Sequence, residues 1–361
     1  MKIALDIRLL NNPNSGMGVY LSEVLSRLKT THSKNDYYYL DYKLPKRNLI
    51  EKVLDLIYEQ FWIQLLVPQI LRKQNTKLLY SPNPPTSLFV TIPIVLTIPD
   101  LSFYFDPSLN WFIKTYLYWV YKLSALKAKK ITTFSESSKK DIVDILKVNP
   151  NKIEIVSPAI KETFGQRLAD SKVEQIKKKF GIGKKYILSI PGTFIPRKNA
   201  SDLLLSFDSL PLKTKKDFNL VFVGNTSHPS FNEFMNNVRQ LHLEDYVIAT
   251  GYILEEELKA LYLGAFMFVV TSLYEGFGLP PLEAMLLKVP VIAYDNSSLS
   301  EIVGKAGLKV KDKVGLKMAM LDLITKNKLR QKLIKKGLSQ VKKYNWDKSV
   351  QKLIQIFKDT I

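Results

Sequence analysis

Two hydrophobic rhythms alternate along the chain. Short runs rich in Val, Ile and Phe have the length of a buried strand, and between them apolar positions recur at helical spacing. Residues 2–8 (Lys-Ile-Ala-Leu-Asp-Ile-Arg) open as a strand, and Leu21, Val24, Leu25 and Leu28 continue as a helix. Helical spacing returns over 49–71; strands are expected from Leu78 into a Pro-rich turn, over 93–98 and from Ile131. Between Asn149 and Lys185 the rhythm loosens into Asn-Pro-Asn, Ser-Pro and a charged helix over 172–180, closed by Gly181 and Gly183. It restarts at Tyr186-Ile-Leu-Ser-Ile and runs through strands at 219–224, 247–253, 265–272 and 289–293 to amphipathic helices at the end. This pattern predicts two α/β domains, 1–165 and 166–343, followed by a last helix over 344–361 with Trp346, Val350, Leu353, Ile354 and Phe357 on one face.

The densest stretch is Glu275-Gly-Phe-Gly-Leu-Pro-Pro-Leu-Glu283, between an apolar run (265–272) and a further helix–strand pair. Two glycines allow backbone angles that other residues avoid and let a ligand approach the main chain. Pro280 and Pro281 suit a first helical turn, where a missing N–H costs nothing. On this reading Glu283 falls in that first turn, beside unpaired amides that attract phosphate. The two glutamates are thus placed to hold hydroxyls on either side of a phosphate; the plainer alternative is a helix cap and a solvated charge. Arg197 and Lys198, after Gly192-Thr-Phe-Ile-Pro, stand at another strand-to-helix junction and could cradle a diphosphate, or be two surface cations. Gly16-x-Gly18 forms a third such turn, lacking the third glycine of a dinucleotide fingerprint.

Composition narrows the chemistry. Among 361 residues there is no cysteine, which excludes disulfides, zinc-thiolate sites and thiol nucleophiles and fits a reducing, cytoplasmic location. His32, His228 and His242 stand in no ligand spacing and no Asp-x-Asp pair occurs, so no metal site is expected. No run reaches the ~18 apolar residues of a membrane span, and the opening strand is unlike a signal peptide. The formal net charge of +20 points to nucleic acid, an anionic membrane or an acidic substrate, unless it is only a lysine-rich background. Nucleic acid is the weakest of these, because no recognisable binding module is present. Over 110–130, Trp111, Phe112, Tyr116, Tyr118, Trp119 and Tyr121 alternate with Lys114, Lys122, Lys127, Lys129 and Lys130, without an acid. That mixture suits a helix on the inner face of an anionic membrane; the alternative is a core helix with a basic outer face.

Tyr274-Glu-Gly-Phe-Gly-Leu-Pro-Pro-Leu-Glu-Ala-Met resembles the Glu-x7-Glu signature of retaining glycosyltransferases of the GT-B fold, the large family 4 (group 1). The resemblance covers essentially the whole chain, most specifically Arg197 to Glu301, and points to lipopolysaccharide and exopolysaccharide mannosyltransferase-like members. It implies two Rossmann-like domains facing a cleft, with the final helix crossing back to the first. It implies a GDP- or UDP-linked sugar donor as substrate rather than a cofactor, and a glycan or lipid-linked acceptor. Glu275 would contact the donor sugar and Glu283 the ribose; Arg197 and Lys198 would neutralise the departing diphosphate without a metal. Gly16, Gly18, Gly192, Gly224, Phe277, Gly278, Leu279 and Ser298, the last within a Ser-Ser-x-x-Glu segment, would lie along the nucleotide sugar. The chain departs from the family at Pro99. Relatives carry a histidine there, lining the sugar site, and proline has no imidazole. Asp100 is then the candidate to replace that contact, and the alternative is a protein that binds nucleotide sugar, or serves as a partner subunit, without turnover.

Overall fold

In a computed structural model, residues 2–13, 15–31, 36–42 and 58–361 are described. The part of the expected 49–71 helix before residue 58 lies outside them; from 58 to 73 the chain is helical. It forms two compact units, one of residues 1–104, 109–158 and 345–361, the other of residues 105–108 and 159–344. The second unit therefore begins before the expected boundary at 166 and takes in a short piece of the earlier chain.

Among the described residues the first unit holds six parallel strands, β1 (Lys2–Asp6), β2 (Asp36–Leu40), β3 (Leu78–Ser81), β4 (Ile94–Thr97), β5 (Lys130–Thr133) and β6 (Ile153–Ile155), in the order β2-β1-β3-β4-β5-β6. Strands β3 and β4 are buried throughout, which explains their unbroken apolar runs. The final helix, Trp346–Thr360, starts where Asn345 accepts a bond from the Lys348 amide. Its apolar face, Trp346, Val350, Leu353, Ile354 and Phe357, is buried, with Trp346 against Tyr20 and Phe357 against Tyr80 at ring separations of 5.7 and 5.2 Å. Burial of each such side chain contributes about 1.5–3 kcal/mol. The chain's last segment is in this way part of the first unit's core.

The second unit holds β7 (Lys185–Gly192), β8 (Phe218–Gly224), β9 (Val247–Ala249), β10 (Met267–Val270), β11 (Val291–Tyr294) and β12 (Leu308–Val310), all parallel, in the order β12-β11-β10-β7-β8-β9. This is the Rossmann order. From β7 the chain winds outward one way through β8, and from β10 the other way through β11. The crevice at the carboxyl ends of β7 and β10 is consequently the switch point where such sheets bind ligands. Within β7, Pro191 has no N–H to give the ladder, and the register with β8 shifts between Ser189 and Gly192.

Candidate functional site

The expected ionic residues of the second unit converge on that switch point. Beyond β7, Arg197 and Lys198 occupy a short 3-10 turn, Pro196–Lys198, that leads into the helix Ala200–Asp208. Beyond β10 runs the loop that carries Glu275. The two loops are laced together: the Leu273 amide donates to the Arg197 carbonyl at 2.8 Å, and the Thr271 hydroxyl to the Asn199 carbonyl at 2.8 Å. The Arg197 guanidinium donates to the Tyr274 carbonyl at 2.9 Å. The Lys198 Nζ lies 2.7 Å from Glu275 Oε1, with each side chain 18% exposed. Two groups assigned separate tasks in the sequence, one for diphosphate and one for sugar, are thus a direct ion pair.

Electrostatics follow from that geometry. Burial alone would push the Glu275 carboxyl up, but the Lys198 ammonium, a hydrogen bond from Ser272 and the Arg197 charge together hold it below the usual carboxylate range. Glu283 behaves oppositely. Burial is the dominant influence and pushes it up to about 7, against the opposing effects of the Tyr262 hydroxyl and Lys161. The position of Glu283 also corrects the sequence expectation. The helix begins at Leu279, and no acidic residue lies in its first turn. Glu283 sits one turn further in, away from the free amides, where the Tyr262 hydroxyl donates to it at 2.9 Å.

The glycines have distinct duties. Gly192 has φ +71°, and its carbonyl accepts from the Asn225 amide at 2.8 Å; a Cβ on Gly224 would come within 3.1 Å of that same carbonyl. The turns after β7 and β8 therefore pack backbone to backbone. Gly278, at φ +104°, turns the loop into its helix, with Leu279 as the first helical residue and Phe277 buried edge-on against Tyr344. Ser298 is fully buried, and its hydroxyl donates to the Glu275 and Phe277 carbonyls at 2.8 and 2.7 Å, so it shapes the loop that carries Glu275.

Gly16, Gly18 and Asp100 belong to the first unit. Gly18 lies within the helix Gly16–Thr31, where a Cβ would fall 2.2 Å from the Asn12 carbonyl oxygen; at Gly16 a Cβ would meet nothing. Asp100 follows β4 and accepts from the Ser102 amide at 2.7 Å, while the Pro99 carbonyl accepts from the Thr133 hydroxyl at 3.4 Å. Three further participants were not named from the sequence. Asp106 Oδ2 lies 3.6 Å from Arg197 Nε; Tyr262 holds Glu283; and Ser297 Oγ accepts the Glu275 amide at 3.0 Å. Asp106 and Tyr262 come from segments remote in sequence from their partners, with no motif of their own, whereas Ser297 belongs to the Ser-Ser-x-x-Glu segment.

Two parallel α/β sheets, the second with cations and carboxylates gathered at its switch point, define a protein of the GT-B fold class, built from two Rossmann-like units. Residues 172–340 match the model of the family described as glycosyl transferases group 1, and the chain carries a domain of that family. It is 30% identical to O-antigen chain mannosyltransferase B of Escherichia coli over 64% of this chain and 61% of that protein. It is 28% identical to O-antigen chain mannosyltransferase RfbU of Salmonella typhimurium over 69% of this chain and 64% of that protein. The match spans under two thirds of the length of these curated relatives. Among solved structures, Anabaena HepE in complex with UDP and glucose superposes with a TM-score of 0.75 at 14% identity, covering 99% of this chain and 100% of that one.

Proposed function

We propose that the protein is a retaining glycosyltransferase of cell-surface polysaccharide synthesis. It moves a hexosyl unit, with mannose as the first candidate, from a GDP- or UDP-linked donor to a glycan or lipid-linked acceptor at the cytoplasmic face of the membrane. The observation that carries the reading is the Arg197, Lys198 and Glu275 cluster at the switch point of the second sheet. The names of the O-antigen relatives and the UDP in the HepE structure support it.

The chemistry uses what the site offers. Arg197 and Lys198 meet the donor diphosphate, and Glu275, released from Lys198 by that anion, accepts hydrogen bonds from sugar hydroxyls. The bond from the anomeric carbon to the diphosphate oxygen breaks, and the diphosphate leaves with the electron pair. Fixed cations aimed at this developing charge are the largest single aid a site of this kind supplies. The acceptor hydroxyl oxygen bonds to the anomeric carbon from the same face, and its proton passes to the departing phosphate oxygen. No metal is assigned a part in this scheme.

The test is a panel of GDP- and UDP-sugars assayed for binding and for donor hydrolysis in the presence of a chelator, with the anomeric configuration of the product read by NMR. Inversion, or turnover that returns only with added magnesium or manganese, would refute the mechanism; failure to bind any nucleotide sugar would refute the function. Pro99 favours one second reading, a protein that binds donor without turnover. In that case the wild type binds a donor yet transfers to no acceptor, and Pro99→His recovers donor hydrolysis.

A further inference from the structure

The helix Trp111–Lys127 presents an apolar stripe to solvent. Its inner side, with Ser124, Ala125 and Tyr121, packs on the first unit's core. Its outer side carries Phe112, Tyr116, Trp119, Leu123 and Leu126, all exposed, with Phe112 at 66% and Trp119 at 51%. Their spacing of four, three, four and three places all five on one face. A core helix with a basic outer face is therefore not what the structure shows: the face turned outward is aromatic.

A second stripe lies alongside. Gln64 donates to the Thr86 carbonyl at 3.3 Å, and the Thr86 amide donates to Ser124 Oγ at 3.3 Å, which ties the helical stretch 58–73 to the first helix. That stretch exposes Tyr58, Phe61 and Leu65, again at helical spacing, and Phe89 stands exposed on the intervening loop. Apolar faces on this scale mark a binding surface.

The charges decide what binds. Lys114, Lys122 and Lys127 lie on the same helix and Lys129 follows just beyond its end, and no acidic residue occurs between Asp106 and Glu136. The Lys122 ammonium lies 5.5 Å from the Trp119 ring centroid and donates to the Tyr118 hydroxyl at 2.9 Å, so a cation is held against the aromatic rings. Interfaces between proteins are depleted in lysine. An aromatic stripe accompanied by lysines matches a layer of acyl chains beneath anionic headgroups. We propose that this face docks the first unit on an anionic lipid surface, with the rings of Phe112 and Trp119 entering the headgroup boundary. This deepens the reading of a lipid-linked acceptor and rests on it for its purpose, while the assay below needs no turnover.

The full chain is sedimented with vesicles of phosphatidylcholine alone and with vesicles of phosphatidylcholine and phosphatidylglycerol in equal parts. The wild type is expected to bind the mixed vesicles, to be released by raised salt and to leave the neutral ones. Phe112→Ser combined with Trp119→Ser, both at exposed positions, is expected to weaken binding about tenfold or more. Lys127→Glu with Lys129→Glu is expected to abolish the preference for the anionic vesicles. Both variants keep the wild-type melting temperature and UDP or GDP affinity, so a loss here is separate from failure of the donor site. Equal binding to both vesicles, no binding to either, or a double variant that binds like the wild type overturns the proposal. So does a wild-type dimer that the aromatic substitutions dissociate, which assigns the face to a second copy of the chain.

Discussion

Replacing Lys198 with Met keeps the aliphatic stem and removes the ammonium 2.7 Å from Glu275. Removing one partner of a fully buried pair costs about 3–5 kcal/mol, because the other charge is left desolvated. Here both side chains retain 18% exposure, and Ser272 and Arg197 still support the carboxylate, so a loss of about 2–3 kcal/mol near neutral pH is expected. For a unit of this size that is a fall in melting temperature of roughly 4–12 °C. The pH dependence separates this cause from ordinary packing damage. In the wild type the carboxyl is held below its usual range, so its stabilising contribution is present above the unfolded-state value and is lost as pH falls through the lower folded-state value. In Lys198→Met, burial prevails, the carboxyl moves up, and protonation relieves the stranded charge. The stability gap between the two proteins is therefore widest at neutral pH and narrows as pH falls from the variant's raised value towards the lowered wild-type one. Melting curves across that range test this directly, and Glu275→Gln added to Lys198→Met should restore most of the stability. Calorimetry with UDP and GDP should show affinity for the diphosphate reduced by about 1.5–3 kcal/mol in both the single and the double variant. A gap that is the same at pH 4 and pH 7.5 would refute the argument, as would an unchanged diphosphate affinity.

Asp106→Asn withdraws the carboxylate that competes with a diphosphate for Arg197 at 3.6 Å, so calorimetry should show UDP or GDP bound several-fold more tightly, and equal or weaker binding rejects the competition. Burial raises Glu283 to about 7, so its contribution to stability is full below the unfolded-state value and is lost as pH rises through 7, a span of up to about 3 kcal/mol. Glu283→Gln should flatten that part of the melting-temperature profile; an unchanged profile counts against a raised carboxyl. Gly18→Ala places a methyl 2.2 Å from the Asn12 carbonyl and should cost about 1–3 kcal/mol by chemical denaturation, whereas Gly16→Ala, with open space, should cost little.

What the sequence determined by itself is what depends on local rhythm. Strands buried on both faces must be continuous apolar runs, so β7, β8, β10 and β11 could be read before any packing was known. The loop chemistry was local too: two glycines and two prolines between Glu275 and Glu283 are an unusual demand on a backbone, and Arg197-Lys198 stood where a strand had to hand over to a helix. Only the tertiary structure could decide pairings between segments. Lys198 meets Glu275 because parallel strands bring distant loops to one end of a sheet, and Arg197 meets Asp106 because the short piece 105–108 of the earlier chain packs with the second unit; no spacing rule records either. Helix starts are equally poorly specified. Proline tolerates several of the first positions, so a start at Leu279 moved Glu283 out of the first turn and gave it to Tyr262. The helix 111–127 shows the same limit on a larger scale. Its period tells which residues share a face, but which face meets the core depends on the shape of the sheet beneath, and packing turned Phe112, Tyr116 and Trp119 outward.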